Sequence, residues 1–159
     1  MYITYDEYTA LYDHIEEKLF NRLVYDACRQ MDRLTTGADG VKKLKVAFPN
    51  DADSADAVKR CAAHITNILV QIHEAEKSAS MGRGLMQTAN GLQGKIVTSV
   101  SAGNESISYS TGGEKTAVDA AVADPAEKER TIYWTIRNYL SGVADANGVN
   151  LLYMGLYPA

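Results

Sequence analysis

The sequence predicts a mainly α-helical protein. It reads as a small bundle of four to five helices around one long spine helix at about 54–79, with a projecting β-hairpin at about 95–110 and an extended C-terminal tail. Three observations predict this. Apolar residues recur at steps of three and four through most of residues 16–79. Just after residue 94 the pattern turns β-branched and the period shortens. Residues 146–159 carry no charged side chain at all. At 159 residues the chain is long enough for one domain with a real core. We therefore expect residues 1–145 to form a single helical-bundle domain that includes the hairpin, followed by an uncharged docking tail at 146–159.

The elements follow in order. Thr4 and Glu7 stand at the spacing of a capping box, with Ile3 and Tyr8 at the staple positions around it. This predicts a first helix running to about Tyr12. Asp13 and Glu16 repeat the spacing and mark a second start. From 16 to 34, Phe20, Leu23, Val24, Ala27, Met31 and Leu34 form one apolar stripe, and Gly37 is expected as its left-handed stop. Residues 38–52 read as a linker. Asp53 or Ser54 is expected to cap the spine helix, whose stripe is Val58, Cys61, Ala62, Ile65, Ile68, Leu69 and Ile72, with Val70 off it. A helix of that length spans about 40 Å.

From Met81 to Gly94 the chain is Gly-rich and reads as a mobile loop. Residues 95–101 and 105–110 then flank the turn residues Ala102-Gly103-Asn104, which is hairpin chemistry, closed by Gly112 and Gly113. Residues 116–123 suggest a short helix. Asp124 at the N-cap, Pro125 at N1 and Glu127 at N3 begin the final helix, with Gly142 as its stop. Its apolar face comprises Ile132, Tyr133, Ile136, Tyr139, Leu140 and Val143. Trp134 falls opposite, among Glu127, Arg130, Arg137 and Ser141. It is either a ring lying on the surface under arginine stems or an interface anchor. A turn at residues 145–148 is expected to hinge the tail away. Leu151, Leu152, Tyr153 and Leu156 are then assigned to docking on another protein, with the chain's own hairpin or a neighbouring subunit as the alternative groove.

Little in the chain suggests chemistry. Sixteen Lys+Arg against 20 Asp+Glu leave a net charge of −4, unlike a surface built to grip phosphates. Lys42, Lys43 and Lys45 make one small basic patch, read as a solvated loop. His64 and His73 lie nine apart on opposite flanks of the spine stripe and do not make a metal pair. Cys28 and Cys61 sit on apolar faces and read as reduced core thiols. Gly91-Leu92-Gln93-Gly94-Lys95 fails as a phosphate loop, because Ala89 and Ile96 replace the required Gly and Ser or Thr. No catalytic residue, cofactor or metal is expected, and the protein reads as a non-enzyme. The start of the chain shows no leader and no stretch is long enough to span a membrane, so a cytoplasmic origin is expected. Ten tyrosines, eight of them crowded at the two ends, suit the edge of a core or an interface.

Four stretches, in this order, resemble the head–tail connector (adaptor, or head-completion) proteins of long-tailed bacteriophages. They are Tyr2-Ile3-Thr4-Tyr5-Asp6-Glu7-Tyr8; Phe20-Asn21-Arg22-Leu23 running into Met31-Asp32-Arg33-Leu34-Thr35; the 94–109 hairpin segment; and Ile136-Arg137-Asn138-Tyr139-Leu140 followed by Leu151-Leu152-Tyr153. The chain departs from that pattern in its long 81–93 and 112–124 segments and in Met154, where a basic residue is common. The resemblance implies a structural virion protein without catalysis, located in the neck between head and tail and assembled in the host cytoplasm. It implies a ring, typically of twelve copies, beneath the portal protein, extending the DNA channel and offering a platform for stopper or tail proteins. DNA would pass the lumen without sequence-specific binding. Trp134, Arg130, Arg137, Ile107 and Tyr109 are then candidates for the subunit interface. The alternative is a stand-alone helical protein-binding module of phage or host that forms no ring.

Overall fold

In a computed structural model of the chain, the N-terminal capping box is closed in both directions. The Glu7 N–H donates to the Thr4 hydroxyl, and the Thr4 N–H donates to the Glu7 carboxylate at 2.8 Å. The structure describes residues 1–80, 85–88, 91–94, 96–101, 106–110 and 124–158, with side chains for 1–77 and 124–158. Helix α1 (Tyr5–Thr9) stops short of Tyr12: the Leu11 N–H bonds the Tyr8 carbonyl three residues back, which departs from the α ladder. Helix α2 (Glu17–Thr35) follows, then α3 (Lys43–Val46), α4 (Ala52–Ser80) and, after the strands, α5 (Pro125–Leu140). The described residues are mainly helical, with five helices.

The chain divides into two compact units, residues 1–70 with 132–159 and residues 71–131. The boundary expected at 145/146 lies inside the first unit, so residues 146–158 belong with the helices rather than beside them.

The core of the first unit is built as the apolar periodicity dictates. Phe20, Leu23, Val24, Ala27 and Met31 of α2 pack with Val58, Cys61, Ala62, Ile65 and Leu69 of α4 and with Ile132, Ile136 and Leu140 of α5. Ile3 and Tyr8 close one end as the staple requires. Helix α4 is buried on more than its stripe: Ala63, Thr66 and Val70 are also inside. Val70 is therefore a core residue, not an outlier, because a helix surrounded by its neighbours hides residues around its circumference. The Thr66 hydroxyl meets its burial by bonding back to the Ala62 carbonyl at 2.7 Å. The α4 cap is Asp51, whose carboxylate takes the Ser54 N–H at 2.8 Å, rather than Asp53 or Ser54.

The stretch read as a linker is folded. Thr36 and Lys42 form an antiparallel bridge around Gly40 (φ 80°), and α3 follows at once. Gly37 is not a left-handed stop; the positive-φ glycines among the described residues are Gly40, Gly142 and Gly148. Gly37 is needed for space, since a Cβ there would lie 2.9 Å from the Gly155 carbonyl oxygen. Gly142 (φ 79°) and Gly148 (φ 77°) do follow the expected helix stop and turn.

In the second unit, β1 (Leu85–Thr88) pairs antiparallel with β2 (Gly91–Gly94), and β3 (Ile96–Ser101) with β4 (Ser106–Ser110). Residues 85–88 and 91–94 are thus strands where a mobile loop was expected. Ile107 and Tyr109 occupy β4 register positions opposite Val100 and Val97. The expected 116–123 helix, the 102–104 turn and Gly112–Gly113 lie outside the described residues. Asp124 caps α5 through the Ala126 N–H at 2.8 Å, ahead of Pro125.

Candidate protein-docking surfaces

The uncharged C-terminal segment folds back onto its own unit. Ala144 and Asn150 form an antiparallel bridge, and the Leu151 N–H donates to the Val143 carbonyl at 2.9 Å. Leu151 is 0% exposed and belongs to the core cluster, with Leu152 packed partly against it. Leu151 is therefore not free to dock on a partner; its apolar groove is supplied by this chain. The turn at 145–148 does not hinge the segment away but reverses it. Gly148 permits that reversal, and buried Asp145 holds it by accepting from the Asn147 and Val149 N–H groups, each at 2.9 Å.

Beyond Leu151 the attachment changes in kind. Tyr153, Met154 and Leu156 are 53%, 61% and 71% exposed. Polar bonds hold this stretch instead. Lys43, fully buried, donates its ammonium to the Leu151 carbonyl at 3.1 Å and to the Tyr153 carbonyl. Asp39 accepts the Tyr157 N–H at 2.7 Å, and Asp145 accepts the Tyr157 hydroxyl at 2.5 Å. Burial pushes the Lys43 ammonium below its ordinary range, opposed by the charges of Asp145 and Asp39. The Tyr157 and Val41 N–H groups hold the Asp39 carboxyl below the usual carboxylate range. The Asp145 carboxylate raises the Tyr157 hydroxyl.

The basic patch read at Lys42, Lys43 and Lys45 is not a patch. One helical turn sends the three side chains to different places. Lys43 goes inside to the tail carbonyls, Lys45 pairs with Asp32 at 3.1 Å, and Lys42 stays exposed. Asp32 also accepts from the Tyr2 hydroxyl, which ties the N-terminus to α2. Lys43 was read from sequence only as part of a solvated patch, and Asp145 only as a turn residue ahead of Asn147-Gly148; Asp39 was not named at all.

A second exposed surface lies on α5. Trp134 is 54% exposed, and Tyr133 is exposed beside it rather than on the buried face. Their rings meet edge to face at 5.7 Å. The Arg137 guanidinium stands 5.7 Å from both ring centres and donates to the Tyr133 hydroxyl at 3.0 Å. Trp134 is thus partly roofed by an arginine stem, yet half its surface remains open. Arg130 pairs with Glu127 at 2.9 Å. Tyr139, on the buried side, faces His64.

His64 is a packing residue. Its Nδ1 is 2.8 Å from the Tyr12 hydroxyl, and its ring lies between Tyr12 and Tyr139 at 6.2 and 5.7 Å. Burial holds the imidazole below its ordinary value. Cys28 and Cys61 are buried free thiols, and burial pushes Cys61 up to about 12. Among the described residues no group of His, Cys, Asp and Glu could hold a metal ion, and no helix is long and apolar enough to cross a membrane. Comparison with known protein families, with characterised proteins and with solved structures finds no match.

Proposed function

We propose that this chain is a structural virion protein of a tailed bacteriophage, a head–tail connector that forms a ring beneath the portal and presents a platform to stopper or tail proteins. The observation that carries the reading is the order of its sequence segments, from Tyr2–Tyr8 through Phe20–Leu23 and Met31–Thr35 to Ile136–Leu140 and Leu151–Tyr153. Two physical features support it. Ring contacts are heterologous, so each subunit needs two unlike adhesive surfaces. The Tyr133–Trp134–Arg137 cluster on α5 is one candidate surface, and the segment carrying Ile107 and Tyr109 is the other. The net charge of −4 suits a channel that DNA slides past, since few neutralising contacts mean weak, non-retentive binding.

In this reading Leu151 anchors the tail at home, while Tyr153 and Leu156, with Met154, meet the portal, and Leu152 packs at the edge of that contact. Ile107 and Tyr109 of β4 are assigned to contact with a neighbouring subunit, as are Trp134, Arg137 and Arg130 of α5. About twelve copies close the ring, as the resemblance implies.

The test is co-expression with the portal protein encoded in the same genome, followed by electron microscopy. Annular density added below the portal is expected, together with loss of acrylamide quenching of Trp134 in the assembled particle. A chain that stays monomeric and adds no density to the portal, with Trp134 still fully quenched, overturns the ring reading and leaves a stand-alone binding module.

A further inference from the structure

The last described residues are fastened in two physically different ways. Leu151 is held by complete apolar burial, whereas residues 153–157 are held by hydrogen bonds to residues 38–43 and to the 145–147 turn and leave Tyr153, Met154 and Leu156 largely exposed. Exposed apolar side chains add little to holding a segment down. Its closure therefore depends on the ammonium of Lys43, the carboxylates of Asp39 and Asp145, and a long Ala38 N–H bond to the Gly155 carbonyl at 3.4 Å. Segments with few buried apolar contacts open locally at a cost below that of global unfolding.

We propose that residues 152–158 are a strap that unfastens as a unit while the helical core stays folded, and that Lys43 is its catch. A single buried ammonium joins two successive points of the strap, the carbonyls of Leu151 and Tyr153. Releasing it leaves both carbonyls without their donor, so that the bonds of Ala38, Asp39, Asp145 and Asn147 at Gly155 and Tyr157 hold the rest of the strap alone. Leu151 stays seated and acts as the hinge post, with its N–H on the Val143 carbonyl. Gly155 gives the closed strap its compactness, since the Tyr153 ring lies against the place its Cβ would fill. The device rests on the docking reading in one respect only: an open strap gives Tyr153, Met154 and Leu156 the reach to enter a partner's groove.

Amide hydrogen exchange on the full chain, without any partner, tests the strap. In the native protein the Tyr157 N–H exchanges at least about tenfold faster than the Ile65 N–H in α4, as local opening requires. Lys43→Met keeps the apolar stem and removes the donor. It speeds Tyr157 by a further tenfold or more, the scale of a lost charged hydrogen bond, and leaves Ile65 unchanged. A single common rate for Tyr157 and Ile65, or an equal rise in both, overturns the proposal. Should Lys43→Met fail to fold, Asp39→Ala on the exposed loop is read at the Tyr153 N–H, which bonds the Asn150 carbonyl at 3.1 Å. Faster exchange there supports the strap, and no change overturns it. The measurement needs no portal, so failure of the strap and failure of the connector reading give separate results.

Discussion

Leu151→Ala asks whether the uncharged segment is core or contact. The Leu151 side chain is 0% exposed and sits in the cluster with Val143, Leu140 and Ile136. Truncation to alanine removes three carbons' worth of buried apolar surface, about 2.4 kcal/mol at ~0.8 kcal/mol per methylene. The cavity left behind adds to this, because close-packed neighbours relax only in part, so the expected cost is about 3 kcal/mol. The assay is urea unfolding followed by Trp134 fluorescence, since Trp134 reports on the same unit as Leu151. With a urea m-value of roughly 1–3 kcal/mol/M, the midpoint falls by roughly 1–3 M. The control is Leu156→Ala at a 71% exposed position, expected within about 0.5 kcal/mol of the parent. A Leu151→Ala cost below about 1 kcal/mol, or one no larger than that of Leu156→Ala, refutes the placement of the segment in the core.

Three further outcomes follow from the same packing. Gly37→Ala forces a Cβ to 2.9 Å from the Gly155 carbonyl oxygen and 2.8 Å from Asp39 Oδ1. It should cost about 1–3 kcal/mol by overpacking and raise proteolysis near residue 155; an unchanged urea midpoint counts against the close approach. Because burial depresses the His64 imidazole, the unfolded chain takes up that proton first as pH falls. The His64 contribution is full above the ordinary value of about 6.5 and is lost as pH falls through the depressed folded value, so His64→Gln should flatten that part of the stability–pH profile. A profile identical in parent and variant would refute the burial argument. Finally, a thiol reagent should find neither cysteine in the native protein and both in denaturant, since both are buried and raised; rapid native labelling of Cys61 would contradict its place in the core.

Helices α1, α2, α4 and α5 were legible because each announces itself within a few residues, whereas the single turn of α3 was read as linker. Thr4 and Glu7 close a capping box, Asp124-Pro125 begins α5, Gly142 stops it, and the α2 and α4 stripes are buried apart from the partly buried Leu34, although both helices bury further residues beside them. Val70 and Tyr133 were misplaced for one reason. A helical wheel assumes a single buried side, whereas burial around α4 and α5 depends on how many neighbours surround each turn. The Asp51 cap was missed by a shift of two residues, in a stretch where Asp51, Asp53 and Ser54 all qualify chemically. The exposed Trp134 was found on the wheel, and Arg137 beside it follows from their spacing of three.

The C-terminal segment marks where sequence stops and tertiary structure begins. Sequence alone determined that residues 146–159 are uncharged and that the chain turns at 145–148; it pointed to a helical framework complete without them, which the buried Leu151 overturns. It could not determine whose groove seats the segment. That depends on Lys43, 108 residues before Leu151, and on Asp39, 118 residues before Tyr157. No local pattern couples positions so far apart, because propensity and periodicity act over one or two turns of chain. Only the folded unit, by bringing the α3 turn under the segment, turns a lysine read as solvated into a buried donor. That contact separates Leu151, which belongs to the core, from Tyr153, Met154 and Leu156, which face outward.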